Sequence, residues 1–364
     1  MIEIAEGLKS QGHEITLFYT TEGDLLSRYR NICKRIIKVE AYSIDRKKFF
    51  ISAVNFIRDV FKVRKERHSV VYSNQYHDTL FGAAISFMRD IPFVCHLRLS
   101  PPGSFCGQWR IGLRGVDRFV AVSNKTKAEW ISNGLNGKKI GVVYNGVNTK
   151  IFMPSENRIA LKAAFGLTEE DRVILFVGRI DKDKGLEMLL KAIGLLQKKW
   201  TRLKLFLAGK PHNHATLEIG KKYLESLIQL SKDLDIENTV QFLGHISNPI
   251  QLYQASDVLI LPSVASEAFG RVLIEAMACG VPAIASRIGG IPEILTDEFE
   301  KFIFVPNDKE DMVRVLKSVL DWMQTDPSLG KRCREHVRRN FALNQTVQQI
   351  ESILIDEANI RLKQ

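Results

Sequence analysis

Apolar residues come in short runs along this chain, and between the runs they return every three or four positions, the alternation expected of strands followed by amphipathic helices. Runs at residues 14–19, 36–39, 69–73, 93–97, 118–122 and 140–144 form a first series of predicted strands. Those at 173–177, 204–208, 240–243, 258–261, 282–285 and 302–305 form a second. Helical spacing fills the gaps, most plainly at 186–199 and 271–279, and a last amphipathic helix is expected over 344–361. Two successive α/β series predict two Rossmann-like, doubly wound domains, because parallel strands need crossover helices and these cover both faces of the sheet. Turn residues crowd Asn145-Gly146-Val147-Asn148 through Pro154, so the expected divisions are 1–154, 155–340 and a terminal helical segment, 341–364. The first series departs from the pattern at its start. Ile2, Ile4, Ala5 and Leu8 have helical spacing, so the chain opens in the helix that should follow the central first strand, and that strand is expected to be missing.

At 364 residues, 45% of them hydrophobic, the chain is long enough for two separate cores. Its apolar runs, of which 81–88 is among the longest, are too short to span a bilayer, and residues 1–7 lack the basic and then apolar layout of a signal peptide. A cytoplasmic protein is therefore expected. The five cysteines are scattered with no Cys-x-x-Cys pair, which argues against a disulfide framework and a structural zinc site. The net charge of +11 adds something the periodicity does not, because it is one-sided: residues 1–162 hold 26 Lys and Arg against 14 Asp and Glu. Such an excess suggests an anionic partner, such as a membrane leaflet, a lipid phosphate or a nucleic acid. Within it, residues 46–67 mix basic and bulky apolar side chains at helical spacing, which suits a helix lying on an anionic membrane with Phe49, Phe50, Phe56 or Phe61 inserted. Such a helix more often packs its apolar face on its own sheet, and the two arrangements are compatible.

The passage most informative about chemistry runs from Ser266 to Pro292, where Glu267 and Glu275 are separated by seven residues. Glu267 precedes Phe269-Gly270 and Glu275 falls in the helix that starts at Arg271, so both carboxylates can flank one helix N-terminus. Free backbone N–H groups and the helix dipole favour an anion there, with Gly270 offering close approach. Carboxylates beside a bound phosphate would accept hydrogen bonds from hydroxyls, and a nucleotide sugar carries both kinds of group. Taken alone, a cap and an exposed helical position are the more common fates of two such residues. Here, predicted strands on either side make the passage part of a βαβ unit, and ligands collect outside the carboxyl ends of strands in such sheets. Gly178-Arg179-Ile180-Asp181-Lys182-Asp183-Lys184-Gly185 fills another strand-to-helix loop, where Arg179 and Lys184 can either meet a diphosphate or stand solvated. Cys95-His96-Leu97-Arg98 ends a strand of the first series, and Gly244-His245-Ile246 follows one of the second. No Gly-x-Gly-x-x-Gly turn is found, which disfavours a dinucleotide dehydrogenase.

The segment from Glu267 to Glu275, with the Gly-Val-Pro that follows, resembles the Glu-x7-Glu signature of the retaining glycosyltransferases of family four (glycosyl transferases group 1), which have the two-domain GT-B fold with a cleft between the domains. Residues 5–15 resemble that family's first helix and second strand, and the similarity continues to the terminal helix. The resemblance implies that Glu267 holds sugar hydroxyls, that Ala268, Phe269 and Gly270 offer backbone to sugar and phosphate, and that Glu275 holds the ribose. It puts Gly244, His245 and Ile246 beside the nucleobase. Arg179 and Lys184 fall on the family's paired diphosphate ligands, so no metal or other cofactor is expected. His96 would position the transferred sugar and stabilise positive charge at the reaction centre, with Leu97 standing where many relatives have a carboxylate. The catalytic candidates are thus Glu267, His96, Arg179 and Lys184. The implied partners are a nucleotide sugar and a saccharide or lipid-linked acceptor, with no nucleic acid, and the implied place is the cytoplasm at the inner face of a membrane, in synthesis of cell-surface polysaccharide, lipopolysaccharide or glycolipid. A phosphorylase of this fold would need a cofactor lysine site that the sequence does not offer. The missing first strand and its glycine-rich loop point instead to an alternative of another class, a non-catalytic nucleotide-sugar binder or an inactive shortened homologue.

Overall fold

The structure, a computed structural model, describes residues 1–63, 69–212, 216–265 and 267–362. Two compact units result: Met1–Asn145 together with Leu343–Gln364, and Gly146–Ala342. The division falls earlier than the expected 154 because the segment after Asn145 is tied into the second unit. Val147 bridges to Ala342, and Arg334 donates to the carbonyls of Thr149, Phe152 and Ala278 at 2.9, 3.0 and 2.6 Å.

In the second unit six parallel strands form one sheet: β7 (Arg172–Val177), β8 (Leu203–Ala208), β9 (Val240–Gly244), β10 (Val258–Leu261), β11 (Ala283–Ser286) and β12 (Ile303–Phe304), counted after the six strands of the first unit, β1 to β6. Their spatial order is β12-β11-β10-β7-β8-β9, the doubly wound order in which the sheet reverses direction of growth between its first and fourth strands. Val173 to Phe176 of β7 and all of β10 are buried, as they must be where helices cover both faces, and this is why both read as unbroken apolar runs. Asp257, buried just before β10, holds the lower edge of this sheet: its carboxylate accepts from the Val173 amide at 2.7 Å, from Lys162 at 3.2 Å and from Arg158 at 2.9 Å. Lys162 is itself buried, so desolvation lowers its pKa while Asp257 opposes that shift.

The first unit holds β1 (Thr16–Tyr19) paired in parallel with β2 (Arg35–Lys38), and a separate parallel sheet of β3 (Val71–Ser73), β4 (Phe93–Leu97), β5 (Arg118–Ala121) and β6 (Ile140–Val142). Among the described residues no ladder joins β1 to β3, and the interruption falls where doubly wound order puts the first strand. Side chains instead hold the β1–β2 pair in place: Phe18 and Ile37 pack with Val71, Phe81 and Phe56, and Tyr42 donates its hydroxyl to the Phe18 carbonyl at 2.5 Å. The opening helix Ile2–Ser10 and the closing helix Leu343–Leu362 share a core in which Ile4 and Leu8 meet Val347, Ile350 and Leu354. Gly7 makes that approach possible, since a Cβ there would lie 2.6 Å from Val347.

Candidate active site

Because β7 and β10 are neighbours at the reversal of the sheet, the loops that leave their carboxyl ends start side by side, at the position where ligands bind in doubly wound sheets. The loop after β7 ends at Gly185, whose φ of 63° suits glycine and whose absent side chain lets the Pro262 carbonyl come within 2.2 Å of where a Cβ would be. The Val264 amide donates to the Asp183 carbonyl at 2.8 Å, fastening the two loops to each other. Across this seam Lys184 Nζ meets Glu267 Oε2 at 2.6 Å, and Ser263 Oγ stands 3.4 Å from the same oxygen. The pair is largely shielded, the side chains being 13% and 21% exposed, so its charges are little screened. The loop after β11 clamps Glu267 from the other side. Gly290 donates its amide to the Glu267 carbonyl at 2.8 Å, and Gly289, at φ 56°, has that oxygen 1.8 Å from where a Cβ would stand. Ser266 lies outside the described residues.

Helix Arg271–Ala278 begins directly after Gly270 with no side-chain cap, and the Leu273 amide turns back onto the Gly270 carbonyl at 3.0 Å. Gly270 itself is buried at φ 95°, and a Cβ there would point at Leu273, Leu261 and Ile291 at 3.3–3.5 Å. The left-handed turn thus calls for glycine here, and the side its Cβ would occupy faces apolar side chains. Phe269 is buried with its ring 5.9 Å from that of Phe341, which leaves only its backbone to face a ligand. Tyr253 and Arg271 hold Glu275: the Tyr253 hydroxyl donates to Oε2 at 2.8 Å, and Arg271 Nε lies 2.9 Å from Oε1 one helical turn away. Burial first, and then the Glu275 charge, raise the Tyr253 pKa well above its ordinary value, so the hydroxyl keeps the proton it donates.

Arg179 sits in the same loop as Lys184, half-exposed, with Nε 3.3 Å from Asp181. The loops after β7, β8 and β9 are drawn together by glycines: Gly209 donates its amide to the Gly244 carbonyl at 2.7 Å, and a Cβ on Gly209 would overlap the Gly178 carbonyl at 1.7 Å. Gly244 and His245 are exposed and Ile246 half-buried, at the rim of this group. The second unit therefore brings Arg179, Lys184, Glu267, Ala268, Phe269, Gly270 and Glu275 to one end of its sheet, with Gly244, His245 and Ile246 further along that edge. Tyr253, Ser263 and the Gly289 clamp complete the group. Tyr253 and Ser263 escaped the sequence reading; a Ser ending an apolar strand was a usable signal, whereas Tyr253 looks like any core aromatic.

His96 belongs to the first unit, buried at the end of β4. Its Nδ1 is 2.5 Å from the Tyr72 hydroxyl and 3.4 Å from Arg98 Nη2, both donors, which assigns the ring proton to Nε2; that atom has no protein partner. Burial, and after it the Arg98 charge, hold the His96 pKa well below the usual value. A neutral ring with a free Nε2–H can donate to a sugar oxygen.

A family model described as Glycosyl transferases group 1 matches residues 157–338, half of the chain, and one described as Glycosyltransferase Family 4 matches residues 1–151. The chain is 30% identical over 247 residues to N-acetyl-alpha-D-glucosaminyl L-malate synthase of Bacillus anthracis, a match spanning 68% of this chain and 61% of that protein. It is 27% identical over 341 residues to an uncharacterized glycosyltransferase of Methanocaldococcus jannaschii, spanning 88% of this chain and 84% of the other. Among solved structures, Alr3699/HepE of Anabaena in complex with UDP and glucose superposes with a TM-score of 0.82 at 22% identity, covering 98% of this chain and 94% of that one. The fold is GT-B.

Proposed function

The chain belongs to the glycosyl transferases group 1 of glycosyltransferase family four, and on that premise we propose that it moves a sugar from a nucleoside diphosphate sugar to an acceptor hydroxyl with retention of anomeric configuration. The observation that carries this reading is the Lys184–Glu267 pair at the reversal point of the sheet, beside the uncapped helix that bears Glu275. A cation and a carboxylate in contact there match a ligand that is anionic at one end and rich in hydroxyls at the other. In the reaction the bond from the anomeric carbon to the diphosphate breaks, the acceptor oxygen bonds to that carbon, and the acceptor proton goes to the departing phosphate. Arg179 and Lys184 neutralise the charge that grows on the leaving diphosphate, the task for which a preorganised cation is worth most. Neutralisation by these two side chains needs no metal. Glu267 accepts from sugar hydroxyls, and the amides of Ala268, Phe269 and Gly270 face sugar and phosphate. Glu275, oriented by Tyr253, accepts from the ribose, and the backbone of Gly244, His245 and Ile246 borders the base. His96 donates Nε2–H to a sugar oxygen.

The acceptor is a saccharide or lipid-linked glycan of cell-surface polysaccharide, lipopolysaccharide or glycolipid synthesis, met at the cytoplasmic face of a membrane. The basic excess of residues 1–162 supports this. Among the described residues no helix is long and apolar enough to cross a bilayer. The test is a thermal-shift screen of UDP, GDP, ADP and their sugars on the full chain and on Glu275→Ala, with UDP first because the Anabaena relative was solved with it. A ligand at about 100 times its dissociation constant adds about 2.7 kcal/mol, or about 5–10 °C for a unit of this size. Stabilisation of the wild type by none of them refutes the donor site. Stabilisation without release of nucleoside diphosphate from its sugar, across a set of acceptors, identifies a non-catalytic binder.

A further inference from the structure

Helix Phe49–Val63 of the first unit is apolar on two faces, and one of them packs into the core. Phe56, Val60 and Val63 point into the core with Phe81 and Ile85. Phe50, Val54, Ile57 and Phe61, spaced as one stripe along the adjacent face, remain outside: Phe50 is 83% exposed, and the other three are each at least half exposed. Phe49 and Ile51 at the start of the helix are exposed as well. The sequence allowed Phe56 as an inserting residue; the fold takes it into the core.

The charges beside this stripe decide what it fits. Arg46, Lys47 and Lys48 form an exposed turn leading into the helix, and Arg58 and Lys62 run along one side of the stripe. Lys62 is partly answered by the buried Asp59 at 2.7 Å, and Arg58 lies 3.7 Å from both Asp59 and Glu40, so the cations least offset are those of the first turn. Residues 64–67, also basic in sequence, lie outside the described residues. An apolar stripe one helix wide with cations along its border suits a surface that is apolar inside and anionic at its edge. We infer that this helix lies in the headgroup region of an anionic bilayer, with Phe50, Val54, Ile57 and Phe61 inserted and Arg46, Lys47 and Lys48 on the lipid phosphates. Phe56, Val60 and Val63 anchor the helix in its folded form, so binding carries no cost of helix formation of the kind a free amphipathic peptide meets. A second copy of this chain is the poorer occupant, because a two-fold contact through the stripe sets the same cations against each other.

Vesicle flotation of the full chain tests the assignment. Phosphatidylcholine vesicles are compared with vesicles containing about one third phosphatidylglycerol, at low and high salt. The wild type is expected to partition at least about tenfold more strongly onto the anionic vesicles and to lose most of that at high salt. Phe50→Ser with Phe61→Ser, and separately Lys47→Glu with Lys48→Glu, should each lower partitioning by about tenfold or more while far-UV circular dichroism stays unchanged. The charge pair touches no apolar packing, so it remains informative where the Phe pair disturbs folding. Equal partitioning of wild type and both variants overturns the inference. So does absence of wild-type flotation, or a dimer in sedimentation that the Phe variant dissolves while no vesicle binding is seen. Nucleotide stabilisation is measured without lipid, so failure here leaves the donor-site reading standing, and failure there leaves this one.

Discussion

Replacing Glu267 by Gln separates the two ends of the bound ligand. In the free protein Lys184 is engaged by Glu267 at 2.6 Å, and an entering diphosphate must draw it away. Exposed ion pairs contribute about 0.2–1 kcal/mol, and the shielding of this pair puts it at the upper end. Glu267→Gln keeps shape but removes the competing charge, so bare UDP should bind as tightly as before or up to about fivefold tighter, about 1 kcal/mol. Transfer should move the other way. A charge-assisted hydrogen bond to a sugar hydroxyl is worth about 1.5–3 kcal/mol against about 0.5–1.5 kcal/mol for the neutral one that Gln can still accept, so losing about 1–1.5 kcal/mol lowers kcat/KM about 5- to 13-fold. Lys184→Met, by contrast, deprives the diphosphate of its counter-charge and should weaken UDP by about 10- to 150-fold as well as slowing transfer. In the Lys184→Met background the gain from Glu267→Gln should vanish, because nothing is left to release. Isothermal titration with UDP and a donor-consumption assay on the four proteins of this cycle supply the numbers. If Glu267→Gln weakens UDP by more than about threefold, or leaves transfer intact, the sugar-facing role of Glu267 is wrong.

Tyr253→Phe removes the hydroxyl that orients Glu275 and should weaken UDP about 5- to 20-fold by titration; an unchanged affinity would mean that Glu275 does not touch the nucleoside. Gly289→Ala places a methyl 1.8 Å from the Glu267 carbonyl at a φ of 56°, and should cost about 2 kcal/mol or more in a denaturant titration, so a melting curve like the wild type's would sink the clamp. Burial raises the Asp78 pKa to about 6, above an unfolded value of about 3.9. The native state therefore keeps a proton between about pH 4 and 6 that the unfolded state gives up, and stability falls as pH rises through that window, by about 2–3 kcal/mol in all. Asp78→Asn should flatten that fall and raise the melting temperature at neutral pH, with no gain at pH 4.

The strands were legible in this sequence because doubly wound sheets are covered on both faces, which makes β7, β10 and β11 unbroken apolar runs between turns. Where each strand stands in the sheet is another matter. Lys184 and Glu267 are 83 positions apart, and they meet only because β10 pairs with β7 and not with β9, its predecessor in the chain. Nothing in the periodicity of either segment carries that order; the family resemblance supplied it. Nor does periodicity distinguish one glycine from another. At Gly270 the left-handed turn calls for glycine, and its Cβ position faces Leu261, Leu273 and Ile291. At Gly185, Gly209 and Gly289 it is the missing side chain that lets a neighbouring backbone carbonyl lie against the glycine. The signature letters Glu and Lys supply the charges, but the three loops that aim them are held at backbone distance by residues with no side chain. Substitution at those glycines should therefore disturb Glu267 and Lys184 as surely as changing either one, through a displacement that no inspection of the charged residues would anticipate.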